Sequence, residues 1–438
     1  MFIKRIPELK PNQIMLPPGY VTFPSSFVLH VGSWTKEVNV IIDDGLPQNS
    51  IGLPVQMNND FTIPDTVPYE MVIDGTNLHL GPVIALLIAK RGLTPRLMER
   101  YRGYLANYQE IKGLIYLCSL DGINPRNKTI SGVYFNPNAD WDASPWVQGI
   151  FPYPHVTWRR IGVSKNRLYD DLIIHTNRRI FNPYFLNKWE FWESLRANPL
   201  ISNHLPHTKL LDRPQTLHQM VALYGSVYLK PTKGAKAQGI AKLAKTSNGW
   251  LYMNKNKRKT SISSLNKAWL FLRNLHKGKR YLIQQSVAMT YQNKNIDFRV
   301  VMQKNGNQEW ACSGIIARYG KEGRFYTNDV SSIGLGRDAL RTVYGLNEEE
   351  AARKEEDMIQ ICTLTCQILD SMFGSFGDVG IDATVDPNLK VWLLEINSLH
   401  QHSLASYLQD DRQMYGKVLT QPLAYAKAWS GFSRYNQS

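Results

Sequence analysis

Cysteine is scarce in this 438-residue chain, and the four present (Cys118, Cys312, Cys362 and Cys366) form no CxxC pair. That usage suits a reducing, intracellular setting. Cys362 and Cys366 stand four apart in a stretch of helical spacing, where core packing is their expected use. No apolar run approaches the roughly 20 residues of a membrane span, and the best of them, Pro82–Ala89, is far too short. The opening residues, MFIKRIPELKPNQIMLPPG, lack the continuous apolar core of a signal peptide. There is no Walker A loop, recognition helix, zinc-finger spacing or aromatic–basic RNA motif, so a specific nucleic-acid module is not expected. The ten histidines show no HxxxH spacing. His400 and His402 are two apart and suit either an acceptor pocket or a plain surface or core role.

What is present is ordinary for a soluble globular protein: 43% hydrophobic and 20% charged residues. The length implies roughly two to four domains. The formal charge of +15 favours an anionic partner, whether nucleic acid, acidic polymer or phosphorylated small molecule, without choosing one. The densest basic run, Lys255–Lys259, reads as a solvated loop between a strand and a helix.

Along the chain, residues 17–64 alternate as short strands should, with Gly32-Ser33 as a turn, so a small β domain is expected over 1–75. An α/β layer with a mostly parallel sheet follows over 76–180. There LHLGPVIALLIAK reads as one buried strand, Tyr116–Leu120 and Ile130–Asn136 as further strands, and FPYPHVTWRRIG as an extended connector. Asp170–Ile174 reads as another short strand. The third region runs over 181–438; the family resemblance described below implies two lobes in it, at 206–290 and 291–410. Phe185–Leu205 has helical spacing, Pro214–Tyr224 is a helix with Thr216 as candidate cap, and Val227–Leu229 begins a strand that ends at Lys230. A loop with Lys233, Gly234, Lys236 and Gly239 leads to the next strand. A strand-borne Lys beneath a Gly/Lys flap can hold phosphates, although the same residues suit a basic hairpin. An amphipathic helix covers Ser263–His276, followed by the apolar strand Tyr281–Val287. Asp297 and Arg299 then share one face of Asn295–Gln303. EWACSGIIARYG and RFYTND read as strands, with a turn at Ser331–Gly336. A helix over Glu348–Met372 carries an Asn347–Glu350 capping box and a stripe of Met358, Ile361, Leu364 or Thr365, Ile368 and Met372. Gly374 stops it.

The last signal is a hairpin of Val379–Val385 and Lys390–Ile396 around an Asp386–Asn388 turn. Asp382, Glu395 and Asn397 would gather two carboxylates and an amide oxygen at one end of it. Such oxygen donors suit Mg²⁺; they suit an edge hairpin with solvated acids equally well.

Taken in order, FLNKW…HLP (Phe185–Pro206), YLKP (Tyr228–Pro231), QQSV (Gln284–Val287), DFRV (Asp297–Val300), TND (Thr327–Asp329), GDVGID (Gly377–Asp382) and LLEINS (Leu393–Ser398) resemble the ATP-grasp superfamily. Within it they resemble the YheC/YheD branch described as endospore coat-associated proteins. The resemblance covers most of Leu78–Ser403 and implies an α/β (α+β) ATP-grasp fold, preceded by a small β domain and an α/β pre-ATP-grasp domain. It implies that Lys230 and the Lys233–Gly239 loop meet the ATP phosphates. The backbone of Gln284, Gln285, Ser286 and Val287 would read adenine, and Asp297 would lie near the ribose or the acceptor. Arg299 would face the γ-phosphate and an acyl phosphate. Asp382, Glu395 and Asn397 would bind Mg²⁺, with Asn328 nearby. The implied activity is ATP- and Mg²⁺-dependent joining of a carboxylate to an amine, the substrates being peptides or a spore coat component, in the cytoplasm or in association with the coat. Two alternatives share these residues: an ATP-dependent kinase, and a coat-assembly protein that binds nucleotide without turnover. The sequence departs from the superfamily pattern at Ala237, at Ser332-Ile333 and at Leu399-His400, where the acceptor would bind.

Overall fold

The computed structural model describes residues 1–20, 26–140, 143–234, 238–256, 258–276, 278–287, 289–327, 329–408 and 411–432. The expected positions Lys236, Ala237 and Asn328 lie outside them. By internal contacts the chain forms two compact units, one of residues 1–183, 304–309 and 419–438, the other of 184–303 and 310–418.

The first unit holds a seven-stranded sheet and a six-stranded sheet among the described residues. The apolar run at Leu78 serves both. Asn77–Gly81 belongs to the first sheet and Val83–Ala89 to the second, because Pro82 has no N–H for a ladder and divides the run. Val83–Ala89 is buried throughout and lies between Leu114–Asn124 and Val156–Arg159, parallel to both, the surroundings that call for an unbroken apolar strand. One hydrophobic core, running from Ile3 to Ile180, joins both sheets.

Two expectations here are corrected. FPYPHVTWRR is no connector: Trp146–Pro152 and Val156–Arg159 are strands, the latter fully buried. Asp170–Ile174 is helical, within Arg167–His175. Asn166 accepts from the backbone of Leu168 and Tyr169, and that cap settles a stretch whose apolar pattern alone fits strand or helix.

The second unit holds two six-stranded sheets among the described residues. In one, Ser226–Pro231 pairs with Tyr281–Gln285 on one side and Ala241–Thr246 on the other, all antiparallel. Its helices are Pro214–Tyr224 and Leu265–Leu275. Thr216 does not cap the first; it sits inside the helix and its hydroxyl bonds Asp212. Residues 255–258 join two strands, Gly249–Asn254 and Lys259–Ile262, not a strand to a helix. In the other sheet Lys294–Lys304 lies between Trp310–Gly320 and Asp378–Val385. The expected turn at Ser331–Gly336 is instead the strand Val330–Leu335, paired with Trp310–Gly320, and the expected strand at 324–327 is irregular. Ladder partners supplied from a distance override the local preference of Ser and Gly for turns.

The stretch Phe185–Leu205 divides into Lys188–Leu195 and Pro199–Ser202, each with its own Asn cap. Glu348–Phe373 carries the expected Asn347–Glu350 box. Its buried stripe runs through Met358, Ile361, Cys362, Thr365, Cys366 and Leu369; Met372 is exposed. Of Leu364 and Thr365 it is Thr365 that is buried, Cys362 and Cys366 pack in the core as expected, and Ile368 is only partly buried against it.

Candidate active site

Local chemistry places Lys230. Its strand is antiparallel to Tyr281–Gln285 with Tyr228 opposite Gln284, which leaves the Gln284 amide beside the Lys230 ammonium. Lys230 Nζ donates to Gln284 Oε1 at 2.6 Å, and Gln284 Nε2 donates to Thr208 Oγ1 at 2.8 Å. Burial lowers the Lys230 pKa to about 8, with Glu395 opposing the shift. The Tyr228 hydroxyl donates to the Phe325 carbonyl at 2.7 Å. The Gln285 backbone N–H is already taken by the His207 carbonyl at 2.9 Å. Ser286 bonds the Tyr228 phenol, and Val287 lines a cavity with Gln284, Gln285, Tyr228 and Phe325.

The flap residues Lys233, Gly234 and Gly239 are exposed. Gly234 and Gly239 have φ of 138° and 75°, a region open to glycine at little cost. A Cβ on Gly239 would also meet the Tyr281 hydroxyl at 2.9 Å.

The hairpin forms as Asp378–Val385 and Val391–Asn397, with Asp382 directly opposite Glu395 and Gly380 opposite Asn397. Around it lies a buried chain of alternating charges. Asp297 receives two bonds from Arg318, Nε to Oδ1 at 2.6 Å and Nη2 to Oδ2 at 2.8 Å, and a third from the Thr327 hydroxyl. Arg318 Nη2 also lies 3.2 Å from Asp382 Oδ2. Arg299 closes the chain, its Nε 2.5 Å from Asp382 Oδ1 and its Nη2 3.2 Å from Oδ2. Asn397 Nδ2 reaches Asp382 Oδ2 at 3.5 Å. Burial pushes the Asp382 carboxyl up, but Arg299 and Arg318 outweigh it and hold the group well below the usual range. Burial raises the Asp297 carboxyl, opposed by Arg318. Glu395 pairs with Lys188 at 3.1 Å, and Lys188 also donates to the Gly234 carbonyl at 3.1 Å.

Two cavities meet here, sharing Lys188 and Glu395. One is walled by aromatic and apolar side chains and reaches Lys230, Asp297 and Asp382. The other, of about 610 Å³, is lined by Arg299, Arg318, Asn397 and His400 among others, and falls within the usual range of small-ligand sites. The structure thus gathers Lys230, Gln284, Asp297, Arg299, Asp382, Glu395 and Asn397 into one place. Sequence reading missed Arg318 and Lys188. The sign available for Arg318 was a lone guanidinium inside the apolar strand GIIARYG.

This fold and site define the class. The description "YheC/D like ATP-grasp" matches residues 177–428, more than half of the chain, and the protein belongs to that family. Its fold is the α+β ATP-grasp fold, preceded by an N-terminal β sheet and an α/β sheet. Among relatives, the chain is 26% identical over 432 residues to the endospore coat-associated protein YheD of Bacillus subtilis (strain 168), covering 93% of this chain and 91% of that one. It is 25% identical over 228 residues to YheC of the same organism, covering 48% of this chain and 59% of the other. Among solved structures, the ATP-grasp ligase PsnB with minimal precursor, Mg and ADP aligns at a TM-score of 0.45 with 11% identity, over 79% of this chain and 98% of that one.

Proposed function

We propose that this protein is an ATP- and Mg²⁺-dependent ligase that activates a carboxylate as an acyl phosphate for attack by an amine. On this reading the ATP-grasp region is 181–438, with lobes at 206–290 and 291–410. The observation that carries the reading is the junction of the two cavities, where Lys230, Lys188, Arg299 and Arg318 surround Asp382 and Glu395. The aromatic cavity suits a nucleoside, with the backbone beyond Gln285 facing the base and Lys230 the phosphates. Arg299 and Arg318 border the larger cavity, where negative charge develops as a phosphoryl group moves to an acceptor carboxylate. Asp382, Glu395 and Asn397 would hold Mg²⁺, and two carboxylates and one amide oxygen are the donors it takes. The metal would supply charge neutralisation on the phosphates. No side-chain nucleophile is needed. Family membership supports the nucleotide, and the YheD and YheC names support an association with the spore coat; the reading adds to these a coat or peptide-like substrate and a cytoplasmic or coat-associated place. No helix among the described residues is long and apolar enough to cross a membrane.

One observation favours a second reading. Both oxygens of Asp382 are already engaged by arginines, as befits a protein that binds nucleotide without turnover.

Calorimetry with a non-hydrolysable ATP analogue tests the first reading, with and without Mg²⁺, on wild type and Glu395→Ala. Binding that needs Mg²⁺ and falls at least tenfold in the variant is expected. Absent binding by wild type would overturn both readings. Phosphate release that requires an added amine marks the ligase, and a phosphorylated product marks a kinase on the same scaffold.

A further inference from the structure

Beside the larger cavity lie three side chains that nucleotide chemistry does not use. Asp378 begins one hairpin strand, and His400 and His402 follow the other. All three are buried, exposing at most 1% of their side chains. Their ligand atoms converge. His400 Nε2 is 2.9 Å and His402 Nε2 3.0 Å from the same oxygen, Asp378 Oδ1, and the two nitrogens are 3.1 Å apart. Gln303 Nε2 lies 2.9 Å from that oxygen as well.

Protons satisfy this triangle poorly. Each Nε2 offers either one N–H or one lone pair. With both protonated, two N–H groups crowd one oxygen that Gln303 also addresses. With one bare, its lone pair faces the carboxylate and can accept only from the other ring's N–H, which must then serve the carboxylate as well. A single cation over the triangle accepts a lone pair from every corner. Tetrahedral Zn²⁺, with bonds of about 2.0–2.1 Å, spaces its ligands about 3.3 Å apart. The observed edges fall only a few tenths of an ångström short of that. Two imidazoles and a carboxylate are the donors of zinc and its first-row neighbours, whereas Mg²⁺ prefers oxygen alone.

We propose that Asp378, His400 and His402 form a binding site for a divalent transition metal, zinc foremost, distinct from the oxygen donors Asp382, Glu395 and Asn397. The buried site is structural: it clips the segment after Val391–Asn397 to the start of Asp378–Val385. Gln303, fully buried, steadies the carboxylate through Nε2, which donates both to Asp378 Oδ1 and to the Val418 carbonyl at 2.9 Å. Gly380 sets how closely the clip approaches the phosphate-facing side chains, since a Cβ there would meet Arg299 Cδ at 2.7 Å and His400 Cγ at 3.0 Å. The metal therefore holds His400 against Arg299. The proposal stands whether or not the protein turns over ATP.

The test uses full-length protein purified without a histidine tag and without nucleotide. Metal content is measured by mass spectrometry, then the chelator-treated protein is titrated with Co²⁺ while its visible d–d bands are recorded. About one equivalent of metal per chain is expected, as is a tetrahedral cobalt spectrum. Affinity should fall at least tenfold in His402→Gln and Asp378→Asn and stay unchanged in Glu395→Ala. A wild type with neither metal nor cobalt bands overturns the proposal, and so does a folded His402→Gln that binds as tightly as wild type. Should the variants not fold, the wild-type cobalt spectrum decides: nitrogen-ligated bands uphold the site and a bare aquo-ion spectrum refutes it.

Discussion

Arg318 is the residue on which the site's electrostatics turn. It holds two carboxylates, Asp297 and Asp382, that would otherwise face each other in a poorly hydrated interior. Removing one partner of a buried ion cluster strands the remaining charge, at a cost of about 3–5 kcal/mol. Arg318→Met is expected to lose that much stability in urea denaturation; a loss under about 1 kcal/mol would show that the cluster is not a structural keystone. Lys230 gives a pH signature. Because burial puts its pKa at about 8, it is charged below that value and increasingly neutral above it. Nucleotide affinity is therefore expected to weaken as pH rises through about 8, and to stay flat in Lys230→Arg, whose guanidinium keeps its proton. Titration calorimetry across that range checks both. Lys230, Asp382 and Glu395 were visible in the sequence as candidates, singled out by the order of the motifs that carry them and not by any one local signal. Arg318 was not, since its first partner lies 21 residues away and only sheet pairing brings the two together. His400 and His402 were visible as a pair but not as a cluster, for nothing local points to Asp378.

At the scale of elements, legibility followed the reach of the determining interactions. The hairpin and the helix Glu348–Phe373 are specified by their own turns and caps, and both appear where expected, within a residue or two. Val330–Leu335 is a strand only because Trp310–Gly320 offers an edge, and the divided run at Leu78 serves two sheets that no single window displays. The capping box is a separable local device. Asn347→Ala is expected to cost about 1 kcal/mol of stability and leave nucleotide affinity unchanged. Paired denaturation and binding curves check it, and an altered affinity would mean that this helix is coupled to the site.

For the whole molecule, the charge of +15 predicts a second kind of anion binding. Attraction of a polyanion such as heparin to a diffuse basic surface should fall steeply between roughly 50 and 200 mM salt. Analogue binding in the partly buried site proposed for the nucleotide should change far less. Titrations at both salt concentrations distinguish the two; equal salt sensitivity would argue against an enclosed nucleotide site. The first compact unit draws on both ends of the described chain. Within it, Lys427 reaches Glu70 at 2.6 Å and the Glu110 carbonyl at 2.7 Å, while the Phe432 ring packs against His155. On the ribosome these partners are made before the whole second unit and their counterparts only after it. The contacts that bind the last helix into the first unit can therefore form only once the second unit has been made. The part begun earliest is finished last, and a nascent chain stalled short of residue 419 would expose an unfinished surface to the cell's quality control.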